Sequence, residues 1–161
     1  MNRLVVALIL GALSFPPVAL AQAPATFSII KCRDTDVRTV LAFAENGDAD
    51  AMLCMALKYA NGKHVPHDDA QATRWYIKGA EAGQPRSMFF AGVAFWAGRG
   101  VTQDMVEGYK WLDLSIKLSG GKDHGALTAQ EGLTRVLSAQ QITEAKKRAS
   151  DWEKAFQARK K

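Results

Sequence analysis

Apolar and small residues recur at three- and four-residue intervals through most of this chain, and that spacing predicts helices. Val37, Val40, Leu41 and Ala44 mark a first stripe, which Asp34 or Thr35 can cap and Asn46-Gly47 closes. Met52, Cys54, Met55 and Tyr59 mark a second, running from Asp48 or Ala49 to Asn61-Gly62. After a short loop through Val65-Pro66, Asp68 is placed to cap a third helix. Its apolar side carries Ala72, Trp75, Tyr76 and Ala80, and Gly83 ends it. The plan then repeats, with a helix over 85–97, a loop from Gly98 to Gln103, and a helix over 104–119. Residues 122–137 read as one more helix. Ser138-Ala139-Gln140-Gln141 is a capping-box arrangement opening a last helix from about 139 to 156, with Ile142, Ala145, Ala149, Trp152 and Phe156 on one stripe. The predicted class is all-α.

The recurrence has a fixed length. Ala44/Ala80, Glu45/Glu81, Gly47/Gly83, Met52/Met88, Gly62/Gly98, Val65/Val101, Asp68/Asp104 and Trp75/Trp111 are identical pairs at an offset of 36 residues. A constant period of this size marks a stacked helical repeat, in which no unit can bury its own apolar face and neighbours must cover one another. Each repeated residue has a mechanical role. The glycines stand where a chain leaving a helix takes positive φ. The aspartates satisfy orphan N–H groups, and the tryptophans are large anchors between helices. The expected organisation is a leader over 1–21, an extended lead-in over 22–33 and a repeat domain over 34–157. Within that domain the repeats cover about 47–82 and 83–118, a C-terminal helix pair over 122–157 acts as a cap, and 158–161 form a basic tail.

These residues carry a resemblance. The pattern small-x-x-x-apolar-small-x-x-aromatic, then Gly-x-Gly-Val, Asp-x-x-x-Ala-x-x-Trp and Ala-x-x-Gly resembles the Sel-1-like repeat, a relative of the tetratricopeptide repeat. Ala51, Met55, Ala56, Tyr59, Gly62, Val65, Asp68, Ala72, Trp75, Ala80 and Gly83 match in the first unit. Ser87, Gly92, Phe95, Gly98, Gly100, Val101, Asp104, Trp111 and Leu112 match in the second. Two positions depart from the pattern: His64 replaces the second loop glycine, and Gly108 replaces a helical alanine, so local irregularity is expected at both. The resemblance implies a right-handed α/α superhelix and a non-catalytic role in protein–protein interaction. Lys58, Asn61, Phe89, Phe90 and Trp96, on the inner helices, are the candidate partner contacts, although Phe90 and Trp96 equally suit a core. Some exported proteins of this family are associated with penicillin binding and hydrolysis, which makes a cell-wall-ligand binder or weak envelope hydrolase the alternative expectation. Those relatives are cysteine-rich, with a disulfide per repeat, whereas this chain has two cysteines.

The N-terminus adds a location. Met1-Asn2-Arg3 is a basic start, Leu4 to Leu13 is apolar, and Ala19-Leu20-Ala21 offers the small-x-small pattern of a cleavage site. The run is too short to span a bilayer, so an exported, periplasmic or secreted protein starting at Gln22 is expected. Export makes Cys32 and Cys54 a candidate disulfide. Two antiparallel helices turning near Gly47 would leave the sulfurs roughly 12 Å out of step. The bond therefore requires the segment before Asp34 to fold back in non-helical form; otherwise Cys54 is a buried thiol and Cys32 an exposed one. The net charge of +5 is less informative. From Glu144 onward there are seven basic and three acidic residues, and with Arg3 also set aside the repeat body carries 13 of each. The basic last helix is a surface for weak envelope contact or a solvated end. Nucleic acid is not an expected partner.

Little points to chemistry. His64 and His67 beside Asp68 and Asp69 have metal-ligand spacing, but Asp68 is already a cap and no third ligand is near, so no metal is expected. No serine stands in a nucleophile-elbow or Ser-x-x-Lys context. Gly98-Arg99-Gly100 follows no strand, so it is not a phosphate loop. The expectation is a scaffold without catalytic residues or cofactor.

Overall fold

Seven α-helices and one short 3-10 turn, Ile29–Lys31, make up the described residues, 26–161, of the computed structural model. The expected leader, 1–21, and the first residues of the lead-in lie outside them. The helices are α1 Val37–Glu45, α2 Ala49–Asn61, α3 Asp69–Glu81, α4 Pro85–Ala97, α5 Met105–Leu118, α6 His124–Thr134 and α7 Ala139–Arg159. From α1 to α6 each packs on the next, the pattern of a helical solenoid. Caps set the boundaries. Asp68 and Asp104 each accept a 2.9 Å hydrogen bond, from the N–H groups of Gln71 and Glu107. Ser138 and Gln141 form the expected reciprocal capping box. The first cap differs from expectation: Asp36, not Asp34 or Thr35, accepts from the Thr39 N–H. Thr35 instead donates its hydroxyl to the Lys31 carbonyl, finishing the turn before the helix.

The two departures from the repeat pattern have separate explanations. His64 takes φ 65°, matching Gly100 at 66°, so the loop keeps its left-handed conformation without glycine. Gly100 has no such latitude, because a Cβ there would fall 2.2 Å from the Asp69 carbonyl oxygen. Gly108 leaves α5 regular. It lets α5 press against α4, since a Cβ at Gly108 would come 2.9 Å from the Gly92 carbonyl oxygen. A side chain at either position would push the two helices apart.

The core falls into two clusters. The larger gathers Val40, Leu53, Met55, Trp75, Met88, Trp111 and Leu114; the smaller gathers Tyr109, Leu112, Ala126, Leu133 and Leu137. The C-terminal pair is more than an end cover. Extending the 36-residue offset from α4 gives 121–133, where α6 sits, and α6 packs beside α4 as the next inner helix. The last helix, α7, lies along α5. Its Trp152 meets Trp111 edge-on at 5.7 Å and stacks on Phe156 at 4.7 Å. The Phe156 ring in turn fills the space over Gly83, where a Cβ would fall 2.2 Å from it. The helix therefore straps the third unit back to the turn between α3 and α4. It also runs to Arg159, so the expected basic tail begins inside a helix.

The lead-in folds back as a bonded Cys32 requires. The Phe27 N–H donates to the Asp48 carboxylate at 2.7 Å, its ring packs 5.8 Å from Phe43, and the turn at 29–31 returns the chain to α2. Cys32 and Cys54 are disulfide-bonded, with Cα atoms 5.5 Å apart. The estimated mismatch of helical rungs is avoided because the Cys32 arm is not a helix paired with α2.

Candidate functional site

The inner helices α2, α4 and α6 border three depressions that share residues. One, of about 610 Å³, lies between the ends of α2 and α4, with Leu57, Asn61, Thr73, Tyr76, Phe90 and Arg99 around it. A second, of about 420 Å³, is bordered by Ile30, Arg33, Leu57, Lys58, Lys63 and Arg86. A third, of about 430 Å³, lies where α4 meets α6, between Arg86, Phe89, Phe90, Lys122 and His124. Leu57 and Asn61 line the first two, Arg86 the second and third, and Phe90 the first and third. The depressions therefore form one trough.

The five candidate contacts separate by environment. Asn61 is exposed at the junction of two depressions. Its Nδ2 donates to the Leu57 carbonyl at 2.8 Å, which leaves the side-chain oxygen to accept. Phe90 is half-buried and stacked on Tyr76, centroids 4.8 Å apart, with the Arg86 guanidinium 5.8 Å from its ring. Phe89 faces α6, over Gly125, and Trp96 packs over Gly132; both belong to the second core cluster more than to the trough. Lys58 corrects the expectation most clearly. It is 2 % exposed, and its ammonium donates to the Thr35 carbonyl at 2.9 Å, so it anchors the lead-in and is not a free contact. Burial, then the neighbouring Lys63, holds its pKa below the ordinary lysine value.

The trough also contains residues that the repeat pattern did not single out. Arg99 is the middle residue of Gly98-Arg99-Gly100; its carbonyl accepts from the Thr73 hydroxyl at 2.8 Å, which fixes the loop against α3. Tyr76 forms part of the floor, and burial pushes its hydroxyl up to about 12. Arg86 and Phe90 are four residues apart on one face of α4, a helical spacing visible in the sequence. Arg33 and Ile30 had no periodic signal, because only the folded-back lead-in brings them to α2. His67 donates its Nδ1–H to the Ala60 carbonyl, 3.0 Å away, and its Nε2 lies 3.7 Å from Asp69. Among the described residues no three metal-ligating side chains cluster.

A trough along the inner helices of a stacked α/α superhelix defines the class, an all-α repeat solenoid. The Sel1 repeat model matches residues 48–84 and 85–119. Residues 48–119 of the chain are thus two Sel1-like repeats. The chain is similar to the chitin synthase regulator SKT5 of Saccharomyces cerevisiae, with 30% identity over 86 residues, covering 52% of this chain and 12% of that protein. Among solved structures, a protective antigen of uropathogenic Escherichia coli displaying an SLR fold superposes with TM-score 0.68 at 22% identity, over 74% of this chain and 25% of that one. A Sel1 repeat protein from Oxalobacter formigenes gives TM-score 0.58 at 20% identity, over 77% and 53%. At these identities the structures bear on fold alone. This chain spans about an eighth of the length of the yeast regulator. Sel1 repeats are protein–protein interaction units. No helix of the described residues is long and apolar enough to cross a membrane.

Proposed function

We propose that this chain is a non-catalytic interaction scaffold of the periplasm or cell envelope that binds a protein or peptide along its inner, concave helical face. The observation that carries this reading is the continuity of the trough across α2, α4 and α6, with exposed Asn61 and half-buried Phe90 at its junctions. An extended chain crossing several repeats collects many small contacts, which is how solenoids gain affinity without a deep pocket. Export is supported by the leader pattern ending at Ala21 and by the Cys32–Cys54 bond, a linkage that persists in oxidising compartments.

The test is capture. The mature chain from Gln22 is immobilised and exposed to periplasmic and envelope extract, with retained proteins identified by mass spectrometry. A protein held reproducibly by the native chain, and lost on Asn61→Arg or Phe90→Glu at unchanged circular dichroism, is the expected result. Retention indifferent to both changes would remove the trough from the reading. Export is read separately: N-terminal sequencing of the periplasmic fraction should begin at Gln22, and full-length chain confined to the cytoplasm would refute it.

A further inference from the structure

The trough is electropositive although the repeat body is balanced. Around its three depressions stand Arg33, Lys58, Lys63, Arg86, Arg99 and Lys122, against only two carboxylates, Asp69 and Asp123. Both carboxylates are engaged. Asp69 lies 3.7 Å from His67, and Asp123 caps α6 through the Ala126 N–H at 2.9 Å while accepting from the Ser115 hydroxyl at 2.8 Å. Lys58 is turned inward on the Thr35 carbonyl. The other five cations make no ion pair among the described residues; the ion pairs gather instead around α5 and α7, on Glu107, Asp113, Glu144 and Asp151. Residues 1–25 contain no Asp or Glu to neutralise them. Between the cations the surface is apolar. Ile30 is 88 % exposed at the rim, and Leu57, Phe90 and Val93 line the floor.

We propose that the occupant of this trough is an acidic peptide segment in which an aliphatic or aromatic side chain is flanked by Asp or Glu. This inference rests on the concave-face reading above and assigns its partner's chemistry. The apolar side chain covers Ile30 and Leu57, removing exposed hydrocarbon from water. Flanking carboxylates meet Arg33, Lys63 and Arg86 in the second depression, Arg99 in the first and Lys122 in the third, the arginines offering bidentate guanidinium pairing. The free Asn61 side-chain oxygen accepts a peptide N–H. A bilayer is a poorer fit, because a flat surface cannot follow a trough sunk between helices. A nucleic acid is poorer too, because the Phe90 ring is already stacked on Tyr76 and offers no open platform for a base.

Three fluorescein-labelled nonapeptides with the same central Phe-Leu pair test this, one flanked by Asp and Glu, one by Ser and one by Lys. Fluorescence anisotropy with the disulfide-intact mature chain should rank them acidic, then neutral, then basic. Raising the salt from about 50 mM to about 300 mM should weaken the acidic peptide by about tenfold. The double charge reversal Arg86→Glu with Arg99→Glu should weaken it by about tenfold or more, while leaving the melting temperature and the Lys-flanked peptide's affinity no worse. If the neutral peptide binds as tightly as the acidic one, and both are lost on Phe90→Glu, the trough remains a binding face and the acidic-partner inference is wrong. If vesicles containing phosphatidylglycerol bind and compete the acidic peptide away, or if the charge reversals change nothing, the inference is likewise overturned. If none of the three peptides binds, it fails too; the capture experiment then decides separately whether the concave face binds anything.

Discussion

Lys58 sits in the inner face of α2 with the profile of a contact residue, yet its ammonium is withdrawn from solvent to hold the Thr35 carbonyl. A long charged side chain can bury its stem and spend its donor on a single backbone acceptor, and nothing in the repeat register distinguishes that from a solvated lysine. Tyr76 is the complementary case, a core-spaced residue that also forms the trough floor. Its hydroxyl, pushed up to about 12 by burial, keeps its proton in the folded chain after an unfolded tyrosine, near pH 10, would lose it. The sign follows from linkage: the folded state binds more protons between those values, so this contribution is complete below pH 10 and lost as pH rises toward 12. Urea unfolding of the native chain should therefore weaken more steeply between about pH 10 and 11.5 than that of Tyr76→Phe. Parallel loss in the two proteins would mean that other groups carry the alkaline transition. At this scale the caps were legible, because Asp68, Asp104 and Ser138 bond to N–H groups three residues away. The role of Lys58 was not, since its partner is 23 residues distant.

Among the elements, the folded-back lead-in and α7 do what no repeat does. The lead-in is held by Cys32–Cys54, by Phe27 on Phe43, and by the Phe27 N–H on Asp48. Asp48 thereby serves twice, since it also caps α2 through the Ala51 N–H at 2.9 Å. Because the segment carries Ile30 and Arg33 to the trough, the disulfide maintains part of the candidate surface as well as the fold. Reduction, or Cys32→Ser with Cys54→Ser, should lower unfolding stability by about 2–4 kcal/mol. It should also raise hydrogen exchange over 27–36 before the repeats are affected. Protection unchanged across that segment would show that Phe27 and Lys58 hold it unaided. The sequence could state the condition for the bond, a non-helical return before Asp34, but not meet it, because the turn at 29–31 has no strong local signal.

For the whole molecule, α7 is a third element, with α4 and α5, that contributes to both core clusters. Ala145 belongs to the cluster around Leu112 and Leu133, while Ala149 and Trp152 reach the cluster around Trp75 and Trp111, and Phe156 stacks on Trp152. Stacked repeats can unfold piecewise when their interfaces are weak. Here α4, α5 and the strap are common to both clusters, so far-ultraviolet circular dichroism and tryptophan fluorescence should report one coincident transition. Phe156→Ala, which empties the contact over Gly83, should cost about 3 kcal/mol and separate the two signals. Coincident curves in that variant would place the coupling elsewhere.

The helices, their caps, the 36-residue register and hence the stacked architecture are legible along the chain, because each depends on neighbours within a turn or on a pattern that repeats. The sequence also contained the arithmetic of a neutral repeat body. Where that balance breaks depends on how the helices stack. Arg33, Lys63, Arg86, Arg99 and Lys122 are scattered over 90 positions, and helix stacking puts them around one trough while the paired carboxylates turn to α5 and α7. Periodicity tells a helix which face to bury. It does not say which of its remaining charges will face the same solvent-filled concavity, because that depends on the angle at which successive helices cross.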